Sequence, residues 1–274
     1  MGLRILYCSD EGYAPHLATS MHSLLRHNSE VIDEVYVFTS DMTSQSSSAV
    51  ISIGEAAGVK VFFVFLDDSC FDNVVLGHHF QKANYYRLFA ADFVPGDKCL
   101  YIDSDTIILS GLGDLQMLEL CEEMLVAAVE EFGGFERHED LRMTPGARYF
   151  NSGVMMLNLH SWRLFNVKER VIEFVKAFPE SIKFVDQCGL NAIVNGQWLC
   201  LDERYNFQTA SIASKTQLLL NPPAIVHFTG STKPWHLRSF HPFKAQYWKL
   251  RNQTMFKRSL ADDFSIVNSC SSWY

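Results

Sequence analysis

The sequence lacks a long apolar segment. Its longest apolar stretch, residues 59–66, already contains Lys60 and is followed by Asp67 and Asp68. A membrane-spanning helix needs about 20 predominantly apolar residues. The N-terminal apolar stretch is also short, since Asp10 follows within a few residues, and this length does not fit a secretory signal peptide. We therefore predict no spanning segment and no export signal.

Cysteine usage excludes a disulfide framework or a zinc finger. There are seven cysteines, an odd number, and none forms a C-x-x-C pair. Such spacing is typical of reduced thiols that serve mainly as packing residues in an intracellular protein. We expect the chain to be cytoplasmic.

Positive charge is in short supply. With 23 Lys+Arg against 31 Asp+Glu the formal net charge is -8, which is the wrong sign for a nucleic-acid-binding protein. The 48% hydrophobic content excludes a disordered polymer. There is no Pro/Gly/Ser linker, internal repeat or low-complexity tract. The 274 residues therefore predict one large globular domain.

The first hundred residues alternate short β-rich segments with amphipathic ones, a pattern typical of βαβ units on a mostly parallel sheet. The segments predicted as strands are 4–9, 35–39, 60–65 and 98–102, and those predicted as helices are 13–26, 44–57 and 82–90. The rest of the chain reads as α+β. There we predict strands over 124–129, 153–157, 198–201 and 224–228, and helices over 162–178 and 187–195.

Two acidic residues follow the fourth predicted strand directly. Asp103 and Asp105 can face the same way, because side chains alternate along extended backbone. Open α/β sheets bind ligands at the carboxyl ends of their strands, and paired carboxylates suit Mg²⁺ or Mn²⁺ together with a diphosphate. A solvated acidic turn is the alternative. A haloacid-dehalogenase-like phosphatase fits less well, since its motif wants Thr or Val where Ile107 stands.

The chain resembles the glycosyltransferases of family 8, the retaining GT-A enzymes that include bacterial lipopolysaccharide hexosyltransferases and glycogenin. Six segments in the same order carry the resemblance: 8–14 (CSDEGYA), 86–88 (YRL), 100–105 (LYIDSD), 150–154 (FNSGV), 186–187 (DQ) and 227–236 (HFTGSTKPWH). The resemblance implies an α/β GT-A fold, in which a single Rossmann-like nucleotide-binding domain has a mixed sheet and an α+β acceptor-facing half. We expect this domain to span 1–240, with a nucleotide-binding half over 1–110 and a sugar and acceptor half over 111–240.

The resemblance also implies a metal site and a diphosphate site. Asp103, Asp105 and His227 match the residues that bind Mn²⁺ or Mg²⁺, although a lone histidine of this kind is often just a buried, hydrogen-bonded one. Gly230 would let the backbone approach phosphate oxygens, and Lys233 would supply a positive charge to the diphosphate.

The nucleoside and sugar contacts follow from the same resemblance. Asp10 matches the residue that recognises uracil, and it is also a candidate helix N-cap. Tyr13 could stack on the base. The family often has asparagine where Gly12 stands, so a side-chain bond to the ribose is lost at this position.

Further donor contacts are expected from four residues: Arg87, Ser104, Glu130 and Asn151. Arg87 matches an arginine that holds the donor, with pairing to a structural acid as its alternative role. Glu130 stands where some relatives have an aspartate in contact with the sugar, and its extra methylene could change which hexose fits. UDP-glucose and UDP-galactose are therefore both expected donors.

Asp186 and Gln187 match the acid-amide pair beside the anomeric carbon. A double displacement needs a carboxylate nucleophile, and a neutral glutamine is a poor one. We therefore expect front-face departure, in which Gln187 supports the reaction centre and Asp186 orients sugar hydroxyls; a nucleophilic Asp186 is the alternative.

The segment after residue 240 interleaves aromatic and basic residues, from Phe243 through Arg251 to Arg258. It is treated as a C-terminal extension over 241–274. The pattern suggests a peripheral contact with anionic lipid on the inner face of the membrane, which would suit a glycolipid acceptor. A helix that simply covers the fold is the alternative.

The resulting hypothesis is a metal-dependent retaining glycosyltransferase that moves glucose or galactose from a UDP-sugar to a glycan or glycolipid. Two alternatives stay open. A sugar-phosphate nucleotidylyltransferase would want a basic glycine-rich loop after the first strand, but residues 10–12 are acidic there. A catalytically idle nucleotide-sugar-binding protein would not need to keep Asp103, Asp105, His227 and Gln187 together.

Overall fold

The computed structural model describes residues 2–72, 82–132, 137, 139–209 and 221–257. The strands of this part of the chain are β1 (Leu3–Cys8), β2 (Ile32–Thr39), β3 (Lys60–Phe65), β4 (Lys98–Ile102), β5 (Thr106–Ile108), β6 (Val126–Glu130), β7 (Phe150–Asn158), β8 (Trp198–Cys200), β9 (Phe207–Gln208) and β10 (Ile225–His227). The α-helices are α1 (Ala14–Asn28), α2 (Ser44–Ala56), α3 (Ala90–Phe93), α4 (Gly113–Gln116), α5 (Leu159–Leu164), α6 (Val167–Ala177), α7 (Val185–Val194) and α8 (Lys244–Arg251).

A seven-stranded sheet runs through both halves of the chain. Its order is β3-β2-β1-β4-β7-β6-β8. The strands from β3 to β4 pair in parallel, whereas β7 lies antiparallel between β4 and β6. All nine residues of β7 are buried, as expected for a central strand covered on both faces. The predicted α/β fold with a mixed sheet is confirmed.

Helices cover both faces of this sheet. Alternate residues of β1 supply the two cores: Ile5 and Tyr7 pack with α1 and α2, while Leu6 and Cys8 pack with α5, α6 and α7. This alternation follows from the two-residue period of a strand. Both faces of the sheet are therefore covered by helices, and a binding site would have to lie at the ends of the strands.

Two of the predicted helices differ in detail. The segment predicted as one helix over 162–178 forms α5 and α6, because Asn166 adopts a left-handed conformation with φ of 50° between them. Asparagine tolerates this conformation better than most residues. The segment predicted as helical over 82–90 is mainly a 3-10 helix, Lys82–Phe89, followed by the single turn of α3. Strand β7 begins at Phe150, three residues before the predicted start.

A second, three-stranded sheet has the order β5-β10-β9. Strand β5 continues from β4 after a break of three residues, so the chain passes directly from the large sheet into the small one. Strand β10 pairs antiparallel with β5, and the pair His227–Thr106 lies at its end. The boundary between the two sheets therefore carries Asp103 and Asp105.

Within the described ranges, no helix is long and apolar enough to cross a membrane. The six cysteines of these ranges are free thiols. Cys270 and the end of the predicted extension, residues 258–274, lie outside the described residues.

Candidate active site

The acidic pair occupies the break between the two sheets. The Asp103 backbone N–H donates to the Gly153 carbonyl of β7 (2.7 Å), and the Phe228 N–H donates to the Asp105 carbonyl (3.0 Å). Between them, the Ser104 hydroxyl donates to the Cys8 carbonyl at 3.1 Å. These bonds fix the turn, so both carboxylates lie at the carboxyl end of the parallel strands.

His227 completes a three-residue cluster with these acids. Its Nε2 lies 3.5 Å from Oδ2 of Asp103 and 3.3 Å from Oδ1 of Asp105. The ligand atoms of all three residues fall within 4.8 Å of one another. Two carboxylates and one imidazole are an acceptable donor set for Mn²⁺ or Mg²⁺.

Gly153 shapes the floor of this cluster. A Cβ atom at this position would lie 2.1 Å from Cε1 of His227 and 2.9 Å from Oδ2 of Asp103. Any larger residue would displace the side chains of His227 and Asp103. The backbone of β7 therefore leaves the space that converging ligands need, and the residues present fit a divalent ion.

Arg87 lies beneath the cluster and is only 2% exposed. Its Nη2 contacts Oδ1 of Asp103 at 2.9 Å, its Nε lies 3.2 Å from Oδ2 of Asp186, and its Nη1 donates to the Ser152 carbonyl at 2.6 Å. Burial by itself would lower the pKa of the guanidinium, but Asp103 and Asp186 raise it instead. Tyr101 also donates its hydroxyl to Asp103. Arg87 therefore pairs with two acids, which is the alternative role predicted for it, and both acids are themselves candidate site residues.

Asp186 and Gln187 lie in the first turn of α7 and are both buried. Burial raises the pKa of Asp186 to about 7, and the Asp103 charge adds to this while Arg87 opposes it. The preceding residue, Val185, has a φ of 31°, which is strained for a β-branched side chain. This turn directs the acid-amide pair into the protein instead of outward from the helix.

Gln187 is held at both ends of its amide. Its Oε1 accepts the backbone N–H of Ser152 (3.0 Å), and its Nε2 donates to Oε2 of Glu131 (2.8 Å). The same carboxylate oxygen accepts from Nδ2 of Asn151 at 2.9 Å. The structure thus brings Asn151 and Gln187 together through Glu131.

Glu130, the residue expected from the sequence to contact the sugar, has different neighbours from the adjacent Glu131. Glu130 is the last residue of β6 and its carboxylate lies 3.8 Å from Arg148, half exposed. Glu131 is the neighbouring residue and faces the other way, toward Gln187. Two successive acids at a strand end indicate that one of them faces the site, but they do not indicate which one.

Asn206 is a further residue that the sequence analysis missed. It contacts Nδ1 of His227 through Oδ1 at 2.9 Å. Its signal in the sequence is weak, a single amide between the aromatic residues Tyr205 and Phe207.

The loop after β10 brings Lys233 back to the acids. Lys233 Nζ lies 2.6 Å from Oδ2 of Asp105 and donates to the Phe228 carbonyl, also at 2.6 Å. Burial disfavours ionisation of Asp105, but the Lys233 ammonium group, and the His227 ring in its protonated form, hold its pKa well below the ordinary value. Gly230 has a φ of 80°, a conformation that glycine adopts at little cost, and it lets the loop turn back.

Asp10 and Tyr13 lie after β1 at the same edge. Asp10 caps the following turn, because its Oδ1 accepts the Tyr13 N–H at 2.8 Å. Burial raises the pKa of Asp10. The Tyr13 ring packs edge-on against Trp235 at 6.1 Å, and burial together with the charge of Asp105 raises the pKa of its hydroxyl. Tyr13 thus connects the Asp10 turn to the loop that carries Lys233.

The basic-aromatic stretch is partly turned inward. Lys244 donates to the carbonyls of His236, Leu237 and Ser239, and the Arg251 Nε donates to the Phe256 carbonyl. Exposed apolar residues lie nearby instead, among them Leu237 and Phe240, which is 97% exposed.

A mixed sheet of this order, with two acids at the end of a central strand and a histidine from a second sheet beside them, is the arrangement expected of a GT-A glycosyltransferase. The family model described as "Glycosyl transferase family 8" matches residues 4–238. The chain belongs to glycosyltransferase family 8.

Individual relatives agree with this assignment. General stress protein A of Bacillus subtilis (strain 168) is 32% identical over 269 residues, which cover 92% of this chain and 94% of that protein. The lipopolysaccharide 1,3-galactosyltransferase of Salmonella typhimurium is 24% identical, and the match covers 91% of this chain and 78% of the relative. The galactosyltransferase LgtC, solved with donor and acceptor sugar analogs, has the same fold, with a TM-score of 0.84 at 22% identity over 94% of this chain and 98% of LgtC.

Proposed function

We propose that this glycosyltransferase moves a hexose, glucose or galactose, from a UDP-sugar to a glycan acceptor, with a divalent metal ion and with retention of anomeric configuration. The observation that carries the proposal is the convergence of Asp103, Asp105 and His227 with Lys233 beside them. Two acids and one imidazole suit a divalent metal ion, and a nearby lysine suits the negative charge of a diphosphate leaving group.

Donor binding divides among residues at this edge. Asp103, Asp105 and His227 would hold Mn²⁺ or Mg²⁺, which when bound would stabilise the negative charge of the departing UDP. Lys233 would leave Asp105 to pair with the diphosphate, and the turn at Gly230 would let the backbone follow it. The Ser104 hydroxyl is engaged by Cys8, so Ser104 would act through its backbone.

The nucleoside would lie toward the turn after β1. The second carboxylate oxygen of Asp10 would accept the imide N–H of uracil, since its Oδ1 already caps Tyr13. The Tyr13 ring lies between this turn and Trp235, which suits a base-stacking role.

The reaction centre would lie beside Gln187 and Asp186. Asp186 is buried against Arg87 and Ser152, so its oxygens are poorly placed to attack a sugar carbon. This supports front-face departure, in which a phosphate oxygen of the leaving UDP takes the acceptor proton. Gln187 would support the positive charge at the anomeric carbon, and Asp186 would orient sugar hydroxyls through Arg87.

Asn151 and Glu131 would bind the hexose. Asn151 and Gln187 share the Glu131 carboxylate, so Glu131 would take the sugar-contacting role expected of Glu130, whose side chain faces Arg148 instead. The name of the Salmonella relative, a galactosyltransferase, supports a hexose donor.

The acceptor side is proposed to be a glycolipid or surface polysaccharide. The Salmonella relative is a lipopolysaccharide galactosyltransferase by name. Leu237 and Phe240 are exposed next to the Lys233 loop, and Lys249 is exposed on α8. These residues would allow a peripheral contact with the cytoplasmic face of a membrane. Liposome co-sedimentation of the wild-type chain and of Phe240→Ser tests this, and equal binding would contradict it.

Thermal unfolding with a panel of nucleotide sugars tests the donor site. UDP-glucose, UDP-galactose, UDP-N-acetylglucosamine and GDP-mannose would each be tested with Mn²⁺ or with EDTA. A ligand at about 100 times its Kd stabilises by about 2.7 kcal/mol, which raises the Tm by a few degrees in a chain of this size. We expect one UDP-hexose to stabilise only with Mn²⁺, and Asp105→Ala to abolish the effect. No response to any UDP-sugar would contradict the proposal.

A further inference from the structure

The metal-binding histidine of the proposed site has a buried amide behind it. We propose that Asn206 is a positioning residue that fixes the tautomer of His227, so that Nδ1 carries the proton and the lone pair of Nε2 faces Asp103 and Asp105. The inference rests on the proposed metal role of His227. It concerns a residue that supplies no ligand to the ion.

The two ends of the Asn151 amide can be told apart by their partners. The Gly153 backbone N–H donates to Oδ1 of Asn151 at 2.9 Å, and a backbone N–H can only donate. The other end, Nδ2, donates to the Glu131 carboxylate at 2.9 Å. The orientation of the Asn151 amide is therefore determined from both sides.

The orientation of Asn206 follows from that of Asn151. Nδ2 of Asn206 donates to Oδ1 of Asn151 at 2.8 Å. If the Asn206 amide were reversed, two carbonyl oxygens would face each other at this distance, in a side chain that is only 1% exposed. A buried clash of acceptors of this kind costs free energy, because neither oxygen can turn to water instead.

The tautomer of His227 follows in turn. Oδ1 of Asn206 lies 2.9 Å from Nδ1 of His227 and can only accept. Nδ1 must therefore donate, and in the neutral ring this leaves Nε2 unprotonated. Nε2 is the nitrogen that faces the two carboxylates, at 3.5 and 3.3 Å.

Without the acceptor that Asn206 provides, the tautomer with its proton on Nε2 is favoured. The carboxylates of Asp103 and Asp105 would attract a proton to Nε2 of the metal-free ring, and a proton there would block a metal. Asn206 opposes this by offering the acceptor on the other side of the ring. Histidine ligands whose second nitrogen loses its partner typically lose about 10- to 100-fold in metal affinity.

The experiment reads the tautomer directly. Histidine labelled with ¹⁵N gives two-bond ¹H–¹⁵N correlations that distinguish a protonated from an unprotonated ring nitrogen, and the signals of His227 are assigned by their loss in His227→Gln. Spectra of the metal-free chain and of every variant are recorded at the same alkaline pH. Divalent ion affinity is measured by calorimetry on the same samples.

Three variants separate positioning from a merely structural role. Asn206→Ala removes the acceptor, and we expect the Nε2–H tautomer to appear and Mn²⁺ affinity to fall about 10- to 100-fold. Asn206→Asp keeps an acceptor toward Nδ1, so it should retain the wild-type tautomer even if its Tm falls. Gln208→Ala is the matched control: it removes a buried amide from the strand beside His227, but that amide contacts Glu130 and Phe132 instead of the imidazole.

The outcomes are distinguishable. An Asn206→Ala spectrum that still shows a protonated Nδ1 and a free Nε2 would overturn the proposal, as would a wild-type ring protonated on Nε2. If the wild-type chain bound no divalent ion, the metal step of the proposed function would fail, whereas the tautomer would be decided by the spectra alone.

Discussion

At the scale of single residues, Gly153 is the most restrictive position of the site. A Cβ at this position would overlap the imidazole of His227. The hydrogen bond between Nδ1 of this ring and Asn206 limits how far the ring can move away. We expect Gly153→Ala to lower Mn²⁺ affinity at least tenfold and to destabilise the fold by about 1–3 kcal/mol through overpacking. Calorimetry and urea unfolding measure the two effects. Gly111→Ala is the control, since its Cβ would meet no atom within 4 Å, and similar results for both variants would contradict the prediction.

Asp186 predicts a specific pH dependence. Its pKa is about 7 in the folded protein, above the ordinary value near 4, so between these two pH values the folded state binds the extra proton. The contribution of this group to the free energy of unfolding is therefore present below pH 4 and decreases as the pH rises toward 7, by up to about 4 kcal/mol. Asp186→Asn removes the titration.

The measurement is urea unfolding of the metal-free wild-type chain and of Asp186→Asn at several pH values from 4 to 8. Other groups titrate in both proteins, so the difference between the two curves is the quantity of interest. We expect the stability of the wild type relative to the variant to fall across this window. Two parallel curves would mean that Asp186 ionises normally in spite of its burial.

At the scale of elements, the loop between β10 and α8 places Lys233 beside Asp105, where the proposed diphosphate would need a positive charge. Lys233 is bound to Asp105, so a metal ion and the ammonium group would compete for the same carboxylate. We expect Lys233→Met to bind Mn²⁺ alone about three- to tenfold more tightly, equivalent to roughly 1 kcal/mol. The same variant should bind UDP with Mn²⁺ more weakly, because the diphosphate loses its cation.

Calorimetry with Mn²⁺ alone and then with UDP measures both effects of this substitution. Lys249→Met is the matched control, since Lys249 is exposed on α8 and makes no contact with the acids. If Lys233→Met weakened both binding steps, competition between the lysine and the metal would be excluded.

The elements of the nucleotide-binding half were predictable because their signals are local. The predicted bounds of β3 and β4 agree with the structure. Asp103 and Asp105 follow the end of β4, as predicted. The break between α5 and α6 was not predictable, since Asn166 is compatible with a helix and its left-handed conformation depends on the packing of two helices.

Local sequence patterns could not determine which way a side chain faces in the folded protein. Glu130 and Glu131 are adjacent, and only the register of β6 against β7 decides that Glu131 meets Gln187. Lys244 and Arg251 belong to a segment that was expected to contact anionic lipid, but they donate to carbonyls of loops whose positions the sequence does not encode locally. The meeting of His227 with the acids depends on two sheets, and only the family resemblance pointed to it.

At the scale of the whole molecule, the site joins two sheets that share few backbone contacts. Asp103 lies at the end of β4, and its backbone N–H donates to Gly153 of β7 in the large sheet. His227 pairs with Thr106 of β5 in the small sheet. An ion held by both residues would connect the sheets, and the protein as a whole has a net charge of -8 that favours a bound cation. The free energy of binding should therefore appear as slower opening at this junction.

Amide hydrogen exchange measures that effect. With Mg²⁺ and UDP at saturating concentrations, we expect exchange at His227, Phe228 and Asp103 to slow by at least about tenfold, because opening of the junction must first release the ligand. Strand β3 at the far edge of the large sheet pairs only with β2 among the described residues, and its exchange should not change. A uniform decrease that included β3 would indicate stabilisation of the whole fold instead. Unchanged exchange at His227 and Phe228 in a sample that calorimetry showed to be saturated would mean that the two sheets are not connected through the ion.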